Sequence, residues 1–193
     1  MKSLIYNNLY YPSFFVQVRV TPILSRKVVI MFNVKNKIEC QSQSVEDTQA
    51  LGEKIGFFLQ SITTPLCIAI VGDLGTGKTH LSKGIAIGFG ITEEVTSPTF
   101  SIMNTYGAIN HRLYHFDLYR LTTVEELDTI GFYEYTEEQK SIVEWADMFQ
   151  DELPDTTLWI QIERISETER RITLASNIVD SQQLSIIGGR ICI

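Results

Sequence analysis

The sequence predicts an α/β fold: one domain with a mixed, mostly parallel central sheet flanked by helices. Three observations predict it. Leu66–Val71 is a continuous apolar run, as expected of a strand covered on both faces. It leads into Gly72-Asp73-Leu74-Gly75-Thr76-Gly77-Lys78-Thr79, and that loop leads into a helical segment, Leu81–Phe89, closed by Gly88 or Gly90. The chain has 193 residues, enough for one domain with a buried core and too few for two ordinary domains and a linker.

The remaining elements follow in order. A short strand is expected over residues 35–40. Ser44-Val45-Glu46-Asp47 has the helix-start pattern of a hydroxyl followed three residues later by an acid. Val45, Leu51, Ile55 and Phe58 continue it at helical spacing, which predicts an amphipathic helix over 45–60. Beyond the glycine-rich loop and its helix, two strands near 100–106 and 111–117 are joined through Gly107–Asn110. Thr123-Val124-Glu125-Glu126-Leu127 starts a short helix. Ser141–Glu144, Leu158–Glu163 and Arg171–Ala175 read as three more strands. The domain is expected over residues 31–176. Residues 1–30 read as an N-terminal extension, with Met31 a plausible alternative start, and residues 177–193 form a tail with no assigned element.

Charge is unevenly distributed. Residues 1–38 contain no acid and carry a formal +6, whereas the remainder carries −13. So acidic a body repels nucleic acid over most of its surface, so any role in an RNA pathway is expected to run through partners. No apolar run is long enough to span a bilayer, and no membrane association is expected. Cys40, Cys67 and Cys192 are odd in number and far apart. That spacing speaks against a disulfide framework and for a reducing, cytoplasmic location.

The chemistry lies in the loop. Gly-x-x-x-x-Gly-Lys-Thr between a strand and a helix is a phosphate-binding P-loop, and it makes this a P-loop NTPase domain. Gly72, Gly75 and Gly77 let successive backbone N–H groups converge on one anion, and the following helix turns its positive end toward it. Residues Asp73, Leu74, Gly75, Thr76, Gly77, Lys78, Thr79 and His80 are the expected nucleotide contacts. Lys78 adds a full charge against the β- and γ-phosphates, and the Thr79 hydroxyl suits Mg²⁺. A second acid on the metal side must come from another strand end. Asp117 and Glu144 are the two candidates, and the pattern alone leaves both open. No base-reading Asn-Lys-x-Asp follows the loop, which argues against a GTPase; Asn36-Lys37-Ile38-Glu39 precedes it and ends in Glu.

A wider set of strings carries a resemblance. The P-loop, Ser97-Pro98-Thr99-Phe100, His115-Phe116-Asp117-Leu118-Tyr119-Arg120-Leu121, Glu125-Glu126-Leu127 and Val143-Glu144-Trp145 occur in an order and spacing that resemble the bacterial TsaE (YjeE) family. The likeness covers roughly residues 40–175. It implies an ATPase component of the machinery that makes threonylcarbamoyladenosine in tRNA, acting with the TsaB and TsaD proteins and meeting tRNA only through that complex. It further implies that Thr79 and Glu144 hold Mg²⁺, that Asp117 is needed for hydrolysis alongside Lys78, and that Ser97–Phe100 is a switch-like loop. By the same likeness Arg170-Arg171 lies on a strand approaching the nucleotide. One departure falls at the P-loop: His80 stands where the family usually has a second Thr. Two readings of other classes remain beside the ATPase: a nucleotide-dependent binding module with incidental turnover, and a small-molecule phosphotransferase.

Overall fold

The structure is a computed structural model and describes residues 34–189. The expected N-terminal extension and the alternative start at Met31 lie outside the described residues.

Seven strands form one sheet: β1 (Asn36–Ser42), β2 (Leu66–Val71), β3 (Met103–Tyr106), β4 (Leu113–Asp117), β5 (Lys140–Glu144), β6 (Leu158–Arg164) and β7 (Arg170–Ser176). Their order is β1-β7-β6-β2-β5-β4-β3. The centre, β6-β2-β5-β4, is parallel, and the β1–β7, β6–β7 and β3–β4 pairs are antiparallel. This is the expected mixed sheet, with its parallel pairs gathered in the middle. All six residues of β2 and all five of β4 are buried, as strands covered on both faces must be.

The helices α1 (Val45–Ser61) and α2 (Lys78–Phe89) cover one face, together with α5 (Ser181–Gly188). On the other face lie α3 (Glu125–Thr129), α4 (Phe132–Glu138) and a 3₁₀ segment, Ala146–Glu152. The Ser44 hydroxyl accepts from Asp47 N at 3.1 Å and caps α1 as its sequence pattern predicts.

The α1–α2 contact depends on four glycines. Gly52 and Gly56 on α1 face Leu81 O and Ile85 O; Gly84 and Gly88 on α2 face Gln49 O and Glu53 O. A Cβ at any of the four would collide with the opposing backbone oxygen. The two helices thus approach backbone to backbone. This contact fixes the helix that begins at the P-loop lysine against a second, independently capped helix.

Beyond α4 and the 3₁₀ segment, for which the sequence predicted no element, two features differ from the sequence reading. The tail beyond residue 176 contains α5, capped by a reciprocal pair in which Asp180 accepts from Gln183 N and Gln183 accepts from Asp180 N. Leu184 and Ile187 enter the same core cluster as α1 and α2. The Asp-x-x-Gln signal is present, but it is followed by only one helical face with two buried aliphatic side chains, too little periodicity to stand out. The second difference concerns cysteine. Cys40, buried in β1, is disulfide-bonded. The cysteine spacing spoke against a disulfide framework, and this bond corrects that expectation, because separation along the chain does not bound separation in the folded molecule. Cys67 is a free thiol, wholly buried, and burial pushes its pKa up to about 12. Among the described residues no helix is long and apolar enough to cross a membrane.

Candidate functional site

The site lies at the C-terminal ends of β2, β4 and β5, where parallel sheets place their ligand crevices. The loop between β2 and α2 is already shaped for an anion. Gly75 and Gly77 take φ values of 75° and 109°, a region closed to most side-chain-bearing residues. Thr76 braces the turn by donating its hydroxyl to Asp73 O at 2.9 Å. Arg170, at the start of β7, donates from Nε to Thr76 O at 2.9 Å and anchors the loop from outside. Asp73, Leu74 and Gly75 are exposed at the rim, whereas Thr76 and Lys78 are buried.

Lys78 is folded onto its own loop. Its ammonium donates to Gly72 O at 2.7 Å and Asp73 O at 3.0 Å and lies 3.6 Å from the centroid of the Trp145 ring. Burial lowers its pKa, opposed by the charges of Glu144, Asp117, Asp147 and Asp73. Trp145 covers the lysine because the chain turns sharply after β5: its φ is 61°, a left-handed conformation that costs a non-glycine residue on the order of 1–3 kcal/mol. Ile102, the other such residue, has φ 67° and closes the loop ahead of β3. Among the described residues these are the two non-glycine positions with positive φ, and both adjoin the site.

Both candidate acids reach it. Asp117 and Glu144 are register partners at the ends of β4 and β5. Glu144 is 1% exposed. Its Oε2 accepts from the Thr79 hydroxyl at 3.2 Å, and its Oε1 accepts from Ser82 at 2.8 Å and lies 2.9 Å from His115 Nε2. Burial raises its pKa, but the His115 bond and charge, Ser82 and Lys78 outweigh that and hold it below the ordinary glutamate value. Asp117 is 2% exposed. Its Oδ1 accepts from Tyr119 N at 3.0 Å, and its Oδ2 accepts from Ser97 at 3.2 Å and from Thr99 more closely. The Ser97–Phe100 loop is thereby tied to Asp117, with Phe100 at its tip 89% exposed.

The two candidate acids differ in position: Glu144 faces Thr79, and Asp117 faces the loop of Ser97 and Thr99. Among the described residues no group of three or more His, Cys, Asp and Glu forms a cation cage. A divalent cation held by one hydroxyl, one carboxylate, waters and substrate phosphates fits this all-oxygen donor pair, and Mg²⁺ binds in that way.

Beside the loop lies an open cavity of about 320 Å³, lined by Ser44, Glu46, Thr76, His80, Thr168 and Arg170. His80, the departure from the familiar pattern, is exposed and faces this cavity rather than Glu144. Ser82 is a site residue that sequence reading passed over, and His115 is one that it took only as part of a strand-end string. Ser82 is four residues after Lys78 and three after Thr79, on the same helical face, and that spacing was the available signal. His115 alternates with Asp117 along β4, two residues before it, so both side chains emerge on the same side of the sheet.

The chain is similar to known proteins in both sequence and fold. The family described as "Threonylcarbamoyl adenosine biosynthesis protein TsaE" matches residues 42–172. The tRNA threonylcarbamoyladenosine biosynthesis protein TsaE of Treponema pallidum is 36% identical over 140 residues, covering 72% of this chain and 100% of the relative. The Bacillus subtilis protein of the same name is 36% identical over 141 residues, covering 72% of this chain and 86% of the relative. Among solved structures, Bacillus subtilis YdiB matches with a TM-score of 0.59 and 31% identity, over 79% of this chain and 92% of that one. A single parallel-centred α/β domain, a formed P-loop and a family match spanning both acids lead to one conclusion: the chain belongs to the TsaE family.

Proposed function

We propose that this chain binds ATP with Mg²⁺ at the P-loop and hydrolyses it in the service of tRNA threonylcarbamoyladenosine synthesis, together with TsaB and TsaD. One observation carries the reading: a phosphate cradle with its lysine stands beside a Thr79–Glu144 oxygen pair, and a second carboxylate, Asp117, sits one strand away.

The loop amides from Asp73 to His80 and the Lys78 ammonium bind the phosphates, and the cavity lined by His80 and Arg170 has room for the nucleoside. Thr79 and Glu144 would hold Mg²⁺, which when bound offsets charge on the β- and γ-phosphates. Asp117 orients the attacking water. The water oxygen bonds to the γ-phosphorus, and the bond from that phosphorus to the β,γ-bridging oxygen breaks. ADP leaves with the electron pair, and the water proton passes to the Asp117 carboxylate and on to solvent. Lys78 stabilises the charge that develops.

A second reading, the nucleotide-dependent binding module, is favoured by the way the catalytic groups are engaged. Lys78 is taken up by loop carbonyls and Trp145, and Asp117 by Ser97 and Thr99. Turnover measured on the purified chain, alone and with TsaB and TsaD, separates the two. Stimulated release of phosphate supports the ATPase; partner binding that depends on nucleotide without turnover supports the module. Phosphate transfer to an added metabolite would instead mark a phosphotransferase. In a separate anisotropy titration, tRNA should bind the isolated chain no tighter than on the order of 10⁻⁴ M at physiological salt. Tight, saturable binding by the chain alone would remove the partner-mediated model.

A further inference from the structure

We propose that His115 is a positioning residue that chooses which oxygen of Glu144 is presented to the cation, a role that rests on the reading of Glu144 as the metal-side acid. The two oxygens of this carboxylate are unequally occupied. Oε1 has two partners, Ser82 Oγ at 2.8 Å and His115 Nε2 at 2.9 Å. Oε2 has one, Thr79 Oγ1 at 3.2 Å, and Thr79 is itself the residue whose hydroxyl suits the cation. A carboxylate oxygen with two short donors has little lone-pair capacity left. The arrangement anchors Glu144 through Oε1 and leaves Oε2 beside Thr79.

The bond runs from histidine to glutamate. An ionised carboxylate only accepts, so the proton is on Nε2. His115 is 0% exposed, and its Nδ1 has no hydrogen-bond partner. A buried nitrogen without a partner is costly, and a Leu or Phe would fill a strand interior without that cost. The imidazole stands there all the same, with its one hydrogen bond directed at Glu144. Its backbone is fixed as well: β4 is hydrogen-bonded on both sides, to β3 and to β5, which carries Glu144. The imidazole therefore cannot follow the carboxylate if the latter swings; it holds it. Residues that orient a metal ligand from behind typically contribute about 10–100-fold to metal affinity.

The test uses the full chain and a non-hydrolysable ATP analogue, AMP-PNP, with affinity measured by calorimetry in excess EDTA and across a Mg²⁺ titration. The ratio of the two affinities is the Mg²⁺ coupling. His115→Leu removes the donor and keeps the bulk; it should lower the coupling about tenfold or more and leave the EDTA affinity within about twofold. His115→Gln carries an amide N–H at a similar reach and should restore most of the coupling. His115→Asn is shorter by one carbon and should not. Thermal melts report folding of each variant. If His115→Leu does not fold, the order of Gln above Asn still decides the matter. Equal coupling in Gln and Asn, or a loss in EDTA that parallels the loss in Mg²⁺, would overturn the proposal. Glu144→Ala separates the two levels of argument. If it leaves the coupling unchanged, the reading of Glu144 fails; if it abolishes the coupling while His115→Leu does not, only the role of His115 fails.

Discussion

Asp117 and Glu144 end neighbouring parallel strands as register partners, and both are almost wholly buried, yet they are gripped by different kinds of structure. Every side chain on Glu144 comes from a regular element: Thr79 and Ser82 from α2, His115 from β4. The side chains on Asp117, Ser97 and Thr99, come from a segment with neither helix nor strand, and its third partner is the backbone N–H of Tyr119 two residues on. Regular elements in a packed core open at close to the free energy of global unfolding, whereas loops open for much less. Glu144 is therefore held where it is for as long as the domain is folded. Asp117 is held by groups that can let go. A fixed carboxylate suits a cation that must be found in one place; a releasable one suits a step that should wait for a signal.

The comparison can be tested from its largest consequence downward. Lys78 feels the charge of both acids. Lys78→Ala should abolish measurable nucleotide binding, since charge-assisted bonds to phosphate contribute roughly 1.5–3 kcal/mol each. Unchanged affinity by calorimetry would count against any reading built on the loop. Asp117→Asn should reduce turnover by about 10²-fold or more while leaving affinity near that of the unmodified chain, as expected for a group acting on the attacking water. Glu144→Gln should show the reverse: Mg²⁺ affinity weaker by about 10–100-fold, with binding in EDTA preserved. If the two variants exchange these behaviours, the roles must be exchanged too.

The smallest expected effect tests whether the loop's grip matters. Thr99→Val removes the closer of the two hydroxyls on Asp117. It should alter turnover by less than tenfold, leave the Mg²⁺ coupling alone, and speed amide hydrogen exchange in residues 96–101. Exchange that is unaltered there, measured by mass spectrometry, would show that Asp117 is as rigidly held as Glu144, and the contrast would disappear. Gly88→Ala serves as a control away from both acids. Its Cβ meets the Glu53 carbonyl, so it should cost about 1–3 kcal/mol of stability and leave the Mg²⁺ coupling of the folded fraction intact.

Much of this was legible in the chain. Local chemistry and short-range pattern determined β2, the P-loop, α2, the cap of α1 and most strand positions, because each depends on residues within a turn or a strand length of one another. Asp117 and Glu144 were legible as strand-end acids for the same reason. The resemblance to the TsaE family rested on strings of that kind and is upheld by the family match. What needed the tertiary structure was anything decided between elements. No spacing rule says that Gly52 and Gly56 face Leu81 and Ile85, or that Gly84 and Gly88 face Gln49 and Glu53; that pairing exists only once two helices cross. The disulfide at Cys40 and the burial of Leu184 and Ile187 in α5 are likewise products of the folded arrangement. The same holds for the division between the two acids. By residue pattern alone they are equivalent candidates, 27 residues apart, and within the sequence only the family resemblance told them apart. They differ because β4 and β5 lie side by side in a register that sets His115 Nε2 against Glu144 Oε1 and leaves Asp117 to the loop, and register is a property of paired strands, not of either strand alone.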